Sequence, residues 1–266
     1  MGFLSVMIRE FYQNRTVLLT GGTGFYGQGL TAKILRYLPE IRRLYLIVRP
    51  GRSPNGMALP SEERLHGLFE QAAFERFRRE EPQAFALARE KVKAIACDMR
   101  APGLGLDDES RAELLREVDL IIGNAASVTF DEALDSAIQF NALAPQELLR
   151  LAREGAKKPV LVHVSTAYAN GRQTGSIPER PLPIDRTVQQ LIDGVEPANP
   201  FVPEEEIATS QAHCQSIREK AQSEEQQRQF RREIVEQSHS REISDSRLKK
   251  LVDDRCRRWI ESELVK

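Results

Sequence analysis

Eight residues, Thr20-Gly21-Gly22-Thr23-Gly24-Phe25-Tyr26-Gly27, carry the densest chemical signal in this sequence. Gly21, Gly24 and Gly27 stand three apart, after an aliphatic run from Thr16 to Thr20 and before a helical pattern from Gly24 to about Tyr37. The first glycine permits a tight turn, the second lets backbone approach a pyrophosphate, and the third allows close helix–strand packing. The start of the helix then offers unpaired N–H groups and the positive end of a dipole to phosphate oxygens. A glycine triplet alone is common, but between a strand and a helix it points to a dinucleotide. Thr20, Gly21, Gly24, Phe25, Tyr26 and Gly27 are therefore candidate cofactor-binding residues.

The second aliphatic run, Leu44 to Val48, ends Val48-Arg49-Pro50-Gly51-Arg52. An NAD site usually places Asp or Glu there, on the ribose 2′-hydroxyl. Here Arg49, helped by Arg52, can instead pair with a 2′-phosphate through a charge-assisted fork, which favours NADPH. The plainer alternative is a solvated arginine. Asp98 follows the third run, with Met99 beside it. Its carboxylate can accept from an adenine amino group, or it can cap its own turn.

These residues need elements to hold them. Short apolar runs recur at 16–20, 44–48, 92–96, 119–122 and 159–164, separated by helical patterns. Continuous apolar strands alternating with helices specify a parallel sheet covered on both faces, so the fold class is α/β, doubly wound and Rossmann-like. Residues 61–91 insert a charged helical stretch whose Phe69, Phe74, Phe77 and Phe85 are expected to pack it onto the sheet. A long helix is expected from Asp131 to Arg153. The segment from Gln173 to Pro203 is proline-rich and reads as an extended surface loop. Residues 204–266 hold no glycine or proline and balance acids with bases, which makes a charged helical region. Within it, Leu248, Leu251, Val252, Trp259 and Ile260 recur at helical spacing, so Asp245 to Leu264 is an amphipathic helix whose apolar face needs a partner. The expected organisation is a nucleotide-binding domain over 1–172, a loop over 173–203 and a helical region over 204–266.

Composition narrows the classes. Lys plus Arg is 38 and Asp plus Glu is 39, a net charge of −1 that gives no electrostatic case for nucleic acid. The three cysteines, Cys97, Cys214 and Cys256, suit neither a disulfide framework nor a metal site, and a reducing cytoplasm is the expected location. No apolar run reaches the roughly 18 residues that span a bilayer.

Taken in order, Thr20–Gly27, Asp98-Met99, Asn124-Ala125-Ala126 and Val164-Ser165-Thr166-Ala167-Tyr168 resemble the extended short-chain dehydrogenase/reductases. The narrower likeness is to fatty acyl-CoA reductases and thioester reductase domains. It rests on Phe11-Tyr12 ahead of the first strand, on Asn124 to Asp131, and on Val162 to Gly171. Asn141, within Phe140-Asn141-Ala142-Leu143, is similar to an asparagine of that family's helix. The likeness covers about residues 8–171.

The resemblance implies hydride delivery from NADPH to the carbonyl carbon of a long-chain fatty acyl-CoA. The product is an aldehyde, or an alcohol after a second hydride. Lipid substrates are compatible with peripheral membrane contact. The resemblance places Thr166, with Ser165 adjacent, as hydroxyl donor to the carbonyl oxygen, and Asn124, Ala125 and Ala126 along the cofactor. It also implies that Asn141 bends its helix and holds a proton-relay water, a buried and satisfied asparagine being the plainer alternative. His163, inside a strand expected to be buried, reads as a packed neutral residue. One departure stands out: none of Tyr12, Tyr26, Tyr37, Tyr45 and Tyr168 has lysine four residues on. The family's catalytic Tyr-x-x-x-Lys is missing from these 266 residues. The expectation is a cofactor-binding N-terminal portion, inactive alone, with 204–266 an insertion ahead of the catalytic part and the Trp259 face awaiting that part. The alternatives are a non-catalytic NADP-binding regulatory module, or a nucleotide-sugar epimerase or dehydratase relative, against which the 61–91 insert argues.

Overall fold

A computed structural model describes residues 3–52, 57–129, 132–167, 171, 174–181, 183–195, 201–237 and 244–264. In chain order the elements are α1 (Phe3–Tyr12), β1 (Thr16–Leu19), α2 (Phe25–Tyr37) and β2 (Arg43–Val48). Two short strands pair antiparallel, β3 (Gly51–Arg52) and β4 (Ala58–Leu59). The insert then forms α3 (Ser61–Phe69), α4 (Ala72–Glu80) and α5 (Pro82–Glu90). Next come β5 (Val92–Ala96), α6 (Asp108–Glu117), β6 (Leu120–Gly123), α7 (Leu134–Ile138), a π turn (Gln139–Leu143), α8 (Ala144–Glu154) and β7 (Val160–His163). The remainder is helical: α9 (Val188–Asp193), α10 (Pro203–Gln222), α11 (Glu224–Gln237) and α12 (Asp245–Leu264).

The chain divides into two compact units. One comprises Met1–Val128 with Gln139–Ser165, and the other Thr129–Ile138 with Thr166–Lys266. The first unit thus ends at Ser165, short of the expected 172.

In the first unit all five main strands run parallel in the order β5-β2-β1-β6-β7. Progression is leftward from β1 through β2 to β5, then restarts on the other side with β6. The crevice at such a reversal is where open α/β sheets bind ligands. The alternation of a strand sends Val17, Leu19, Leu44, Leu46, Leu120 and Ile122 into one core and Leu18, Tyr45, Ile47 and Ile121 into the other. Ile34 and Leu35 of α2 cover the first core, and Leu114, Leu148 and Leu151 of α6 and α8 cover the second. The insert aromatics join the first core as expected. Phe74 is fully buried, and Phe69–Phe74 and Phe77–Phe85 meet edge to face at 5.5 and 5.4 Å.

Three expectations need correction. The single helix over 131–153 is interrupted by the π turn, and only α7 and α8 are α-helical. Pro145 in the first turn of α8 has no N–H to continue an α ladder from upstream, so the helix begins afresh there. Asp131 itself lies outside the described residues. The second correction concerns β7, which is the sheet's edge strand. Val160 and Val162 keep 49% and 46% of their surface exposed, and His163 is exposed rather than packed. The third is the stretch 173–203, which is not wholly extended. Its α9 starts on a reciprocal capping box: Thr187 Oγ1 accepts from Gln190 N–H, while Gln190 Oε1 accepts from Thr187 N–H.

In the second unit α10, α11 and α12 close on a small core of Ala221, Phe230, Val252 and Cys256, flanked by Leu248, Trp259 and Ile260. The apolar face of α12 therefore has its partner within this unit, contrary to the expectation that it stays open. An ion pair between Arg218 and Asp135, 2.6 Å, joins α10 to α7. Among the described residues no helix is long and apolar enough to cross a membrane.

Candidate functional site

The loop after β1 is shaped by backbone. Gly21 has φ +68°, and a Cβ there would lie 2.9 Å from Ala125 Cα. At Gly27 a Cβ would lie 1.9 Å from the Gly21 carbonyl oxygen. Both positions exclude any side chain. Gly24 donates its N–H to Gly21 O at 3.0 Å and serves as N-cap of α2, with no side chain capping the helix. The first amides of α2 thus face the loop mouth without a protein acceptor on the cap, as a phosphate site requires.

Thr20 is fully buried, and its Oγ1 accepts the N–H groups of both Asn124 and Ala125 at 3.0 Å. One hydroxyl thereby ties the loop after β6 to the end of β1. The same loop is gripped from its other side by Asn141, whose amide bonds Ser127 twice. Asn141 Nδ2 donates to Ser127 O at 3.0 Å, and Ser127 N–H donates to Asn141 Oδ1 at 2.8 Å. Asn141 does sit where the helix deviates, in the π turn, but it is exposed rather than buried, and Ser127 takes both ends of its amide.

Between these loops and the ends of β2 and β5 lies a cleft of about 260 Å³. It gathers six expected residues, Gly21, Arg49, Asp98, Met99, Ala125 and Ala126. It also holds Arg64 and Arg100, to which the sequence reading gave no role, and Phe140, which entered it only as the neighbour of Asn141. Arg64 arrives from the insert because Ser61, first residue of α3, donates its hydroxyl to Val48 O at 2.6 Å and pins the helix to the end of β2. Its guanidinium then donates to the Arg49 carbonyl and brings a second cation beside Arg49. Asp98 Oδ1 accepts the Arg100 N–H at 3.0 Å, so the carboxylate does cap its own turn while lining the cleft. Burial, with help from the Asp98 charge, pushes the Cys97 thiol up to about 12, so the cleft floor there is neutral.

Other expected residues fall elsewhere. Gly24 and Gly27 shape the loop, and Asn124 contributes its N–H to Thr20. The side chains of Phe25 and Tyr26 leave the cleft: Phe25 is wholly exposed, and both border a separate groove with Leu30 and Lys33. The Arg52 side chain lies outside the described residues, as do Tyr168 and Asn170. Ser165 is exposed at the end of the first unit, and Thr166 belongs to the second. Among the described residues no cluster could hold a metal.

A parallel sheet reversing beside β1, a glycine loop running into an uncapped helix, and a cleft over the strand ends define a Rossmann-type dinucleotide-binding fold. The family can be stated further. A family model described as "Male sterility protein", an NAD-binding domain, matches residues 19–250, and the chain belongs to that family. Its ligand class is a nicotinamide dinucleotide. The chain is 37% identical to "Fatty acyl-CoA reductase 1" of Gallus gallus over 166 residues, 62% of this chain and 30% of the relative. It is 35% identical to the protein of the same name in Homo sapiens over 195 residues, 72% of this chain and 35% of the relative. Among solved structures it resembles the terminal R domain from the myxalamid PKS-NRPS biosynthetic pathway, with TM-score 0.50 and 31% identity over 64% of this chain and 40% of that one. The chain thus spans about a third of the length of the curated relatives it matches.

Proposed function

We propose that this chain is the NADPH-binding portion of a reductase acting on long-chain fatty acyl-CoA. The observation that carries the cofactor choice is that Arg49 and Arg64, at the end of β2, both line the cleft, with the Arg64 guanidinium on the Arg49 carbonyl. Two guanidiniums in the cleft lining suit the doubly charged 2′-phosphate. The uncapped start of α2 would take the pyrophosphate, and the rigid wall Asn124 to Ser127 would hold the dinucleotide against Gly21.

Bound NADPH supplies the hydride. In this proposal the chain's own contribution to chemistry is orientation and charge stabilisation. The hydroxyls of Thr166 and Ser165 donate to the carbonyl oxygen as negative charge develops there. Asn141 holds Ser127 and so fixes the cofactor wall. The phenol that delivers a proton and its lysine come from outside these 266 residues. The acyl-CoA substrate is inferred from the relatives' names together with the matched segments 124–131 and 162–171.

Fluorescence titration of the purified chain tests the cofactor choice. NADPH should bind at least about thirtyfold tighter than NADH, since losing a charge-assisted pair from both arginines costs roughly 2 kcal/mol or more. Equal affinities would refute the assignment. The same chain with NADPH and palmitoyl-CoA should show no oxidation at 340 nm, and sustained turnover would place the missing acid within it.

A further inference from the structure

Arg100 links two parts of the cleft that the glycine loop does not reach. Its backbone N–H holds Asp98 Oδ1 at 3.0 Å, and its guanidinium lies 5.5 Å from the centroid of the Phe140 ring. Phe140 is half-buried against the second core and stands on the π turn directly before Asn141, the residue that grips Ser127. Ile47 near the end of β2 and the buried Met99 just after β5 line the same cleft. The lining therefore combines two apolar side chains, an aromatic ring and a cation over that ring.

We propose that Arg100 and Phe140 act as one cation–π pair that positions the adenine end of the dinucleotide. The proposal rests on the nucleotide reading above. A purine is flat, carries a π face, and offers an amino group at its edge. Phe140 holds the Arg100 guanidinium over its ring, 5.5 Å from the centroid, and the guanidinium so held offers the purine a cation for its π face. The backbone of Arg100 fixes the Asp98 carboxylate, so the cation and the carboxylate are set by a single residue. The π turn carries both Phe140 and Asn141. Consecutive residues 140 and 141 hold the Arg100 side and the Ser127 side of the same cleft, so the adenine slot and the loop after β6 are positioned together. The pair is a positioning device: it sets affinity for the adenosine half and takes no part in hydride transfer.

The test measures binding of NADPH and of 2′,5′-ADP, which keeps the adenosine half alone, to the full chain. Phe140→Leu keeps apolar bulk and removes the ring, and Phe140→Tyr keeps the ring. The leucine variant should lose about five- to tenfold in affinity for both ligands alike, in line with one lost cation–π contact. The tyrosine variant should stay within about twofold of the parent. Arg100→Met should weaken both ligands in the parent but add little in the Phe140→Leu background, because the pair acts as a unit. Unchanged affinity in Phe140→Leu, or an equal effect of Arg100→Met in both backgrounds, would overturn the proposal while leaving the cofactor assignment standing. Failure of the parent chain to bind either ligand would overturn both.

Discussion

Asn141 holds Ser127 by both of its peptide groups, at 2.8 and 3.0 Å, across fourteen residues of chain. A side-chain amide used this way replaces a strand neighbour: it gives the loop after β6 the donor and acceptor that a β ladder would have given. On the loop's other flank Thr20 does the same with one hydroxyl and two amides. The wall of the cleft is thus fixed at two points.

Replacing Asn141 by leucine removes two hydrogen bonds in an exposed setting. Each such bond contributes about 1 kcal/mol or less, so the melting temperature should fall by a few degrees only. NADPH affinity should fall further, by about tenfold, because the wall is no longer held. Calorimetry and titration on one preparation separate the two effects. An unchanged affinity would show that Ser127 keeps its place without the clamp.

Gly27→Ala puts a methyl group 1.9 Å from a backbone oxygen, which no side-chain rotation relieves. The loop must move or the α2 terminus must back away. NADPH binding should drop below detection at millimolar ligand, while circular dichroism retains the helical signal of the second unit. Gly29→Ala, where a Cβ meets nothing within 4 Å, is the matched control and should bind as the parent does.

Phe74→Ala empties the middle of the insert's aromatic cluster. The residue is fully buried between Phe69 and Phe85, and such truncations cost about 3–5 kcal/mol. Urea unfolding should show that loss for the first unit. A cost below about 1 kcal/mol would mean that the insert is not part of the core.

Cys97 is 3% exposed, and its thiol is pushed up to about 12, chiefly by burial. A raised thiol value means that the neutral form persists through the physiological range, and only the thiolate is nucleophilic. Iodoacetamide at pH 8 should leave Cys97 unmodified in the folded chain and modify it fully in urea, read by mass spectrometry. Rapid modification of native Cys97 would contradict its burial.

Much of the sheet was legible because its strands are continuous aliphatic runs. The run at 92–96 matches β5 residue for residue, and 44–48 misses only Arg43 of β2. The glycine loop was legible because its spacing is a covalent fact. What escaped depends on neighbours distant in sequence. The exposure of His163 follows from β7 lying at the sheet's edge, and strand order is not written in the strand itself. The π turn hid inside a helical apolar pattern, with Pro145 its visible sign. Arg64 escaped because it reaches Arg49 only through a bond between Ser61 and Val48, inside a stretch that read simply as charged helix. Phe25 and Tyr26 were expected as cofactor-binding residues from the motif alone, which does not tell that their side chains point away from the cleft; a helix start presents amides to a ligand while its side chains splay outward.

The central claim is that two arginines select the phosphorylated cofactor, and the Arg49→Ala, Arg64→Ala double variant tests it most directly. Dissociation constants for NADPH and NADH, measured side by side on parent and variant, give a ratio free of differences in folded fraction. The predicted result is that NADPH affinity falls to the level of NADH while NADH binding changes by less than about twofold. A variant that keeps the parent's preference for NADPH, or that loses both cofactors equally, would contradict it.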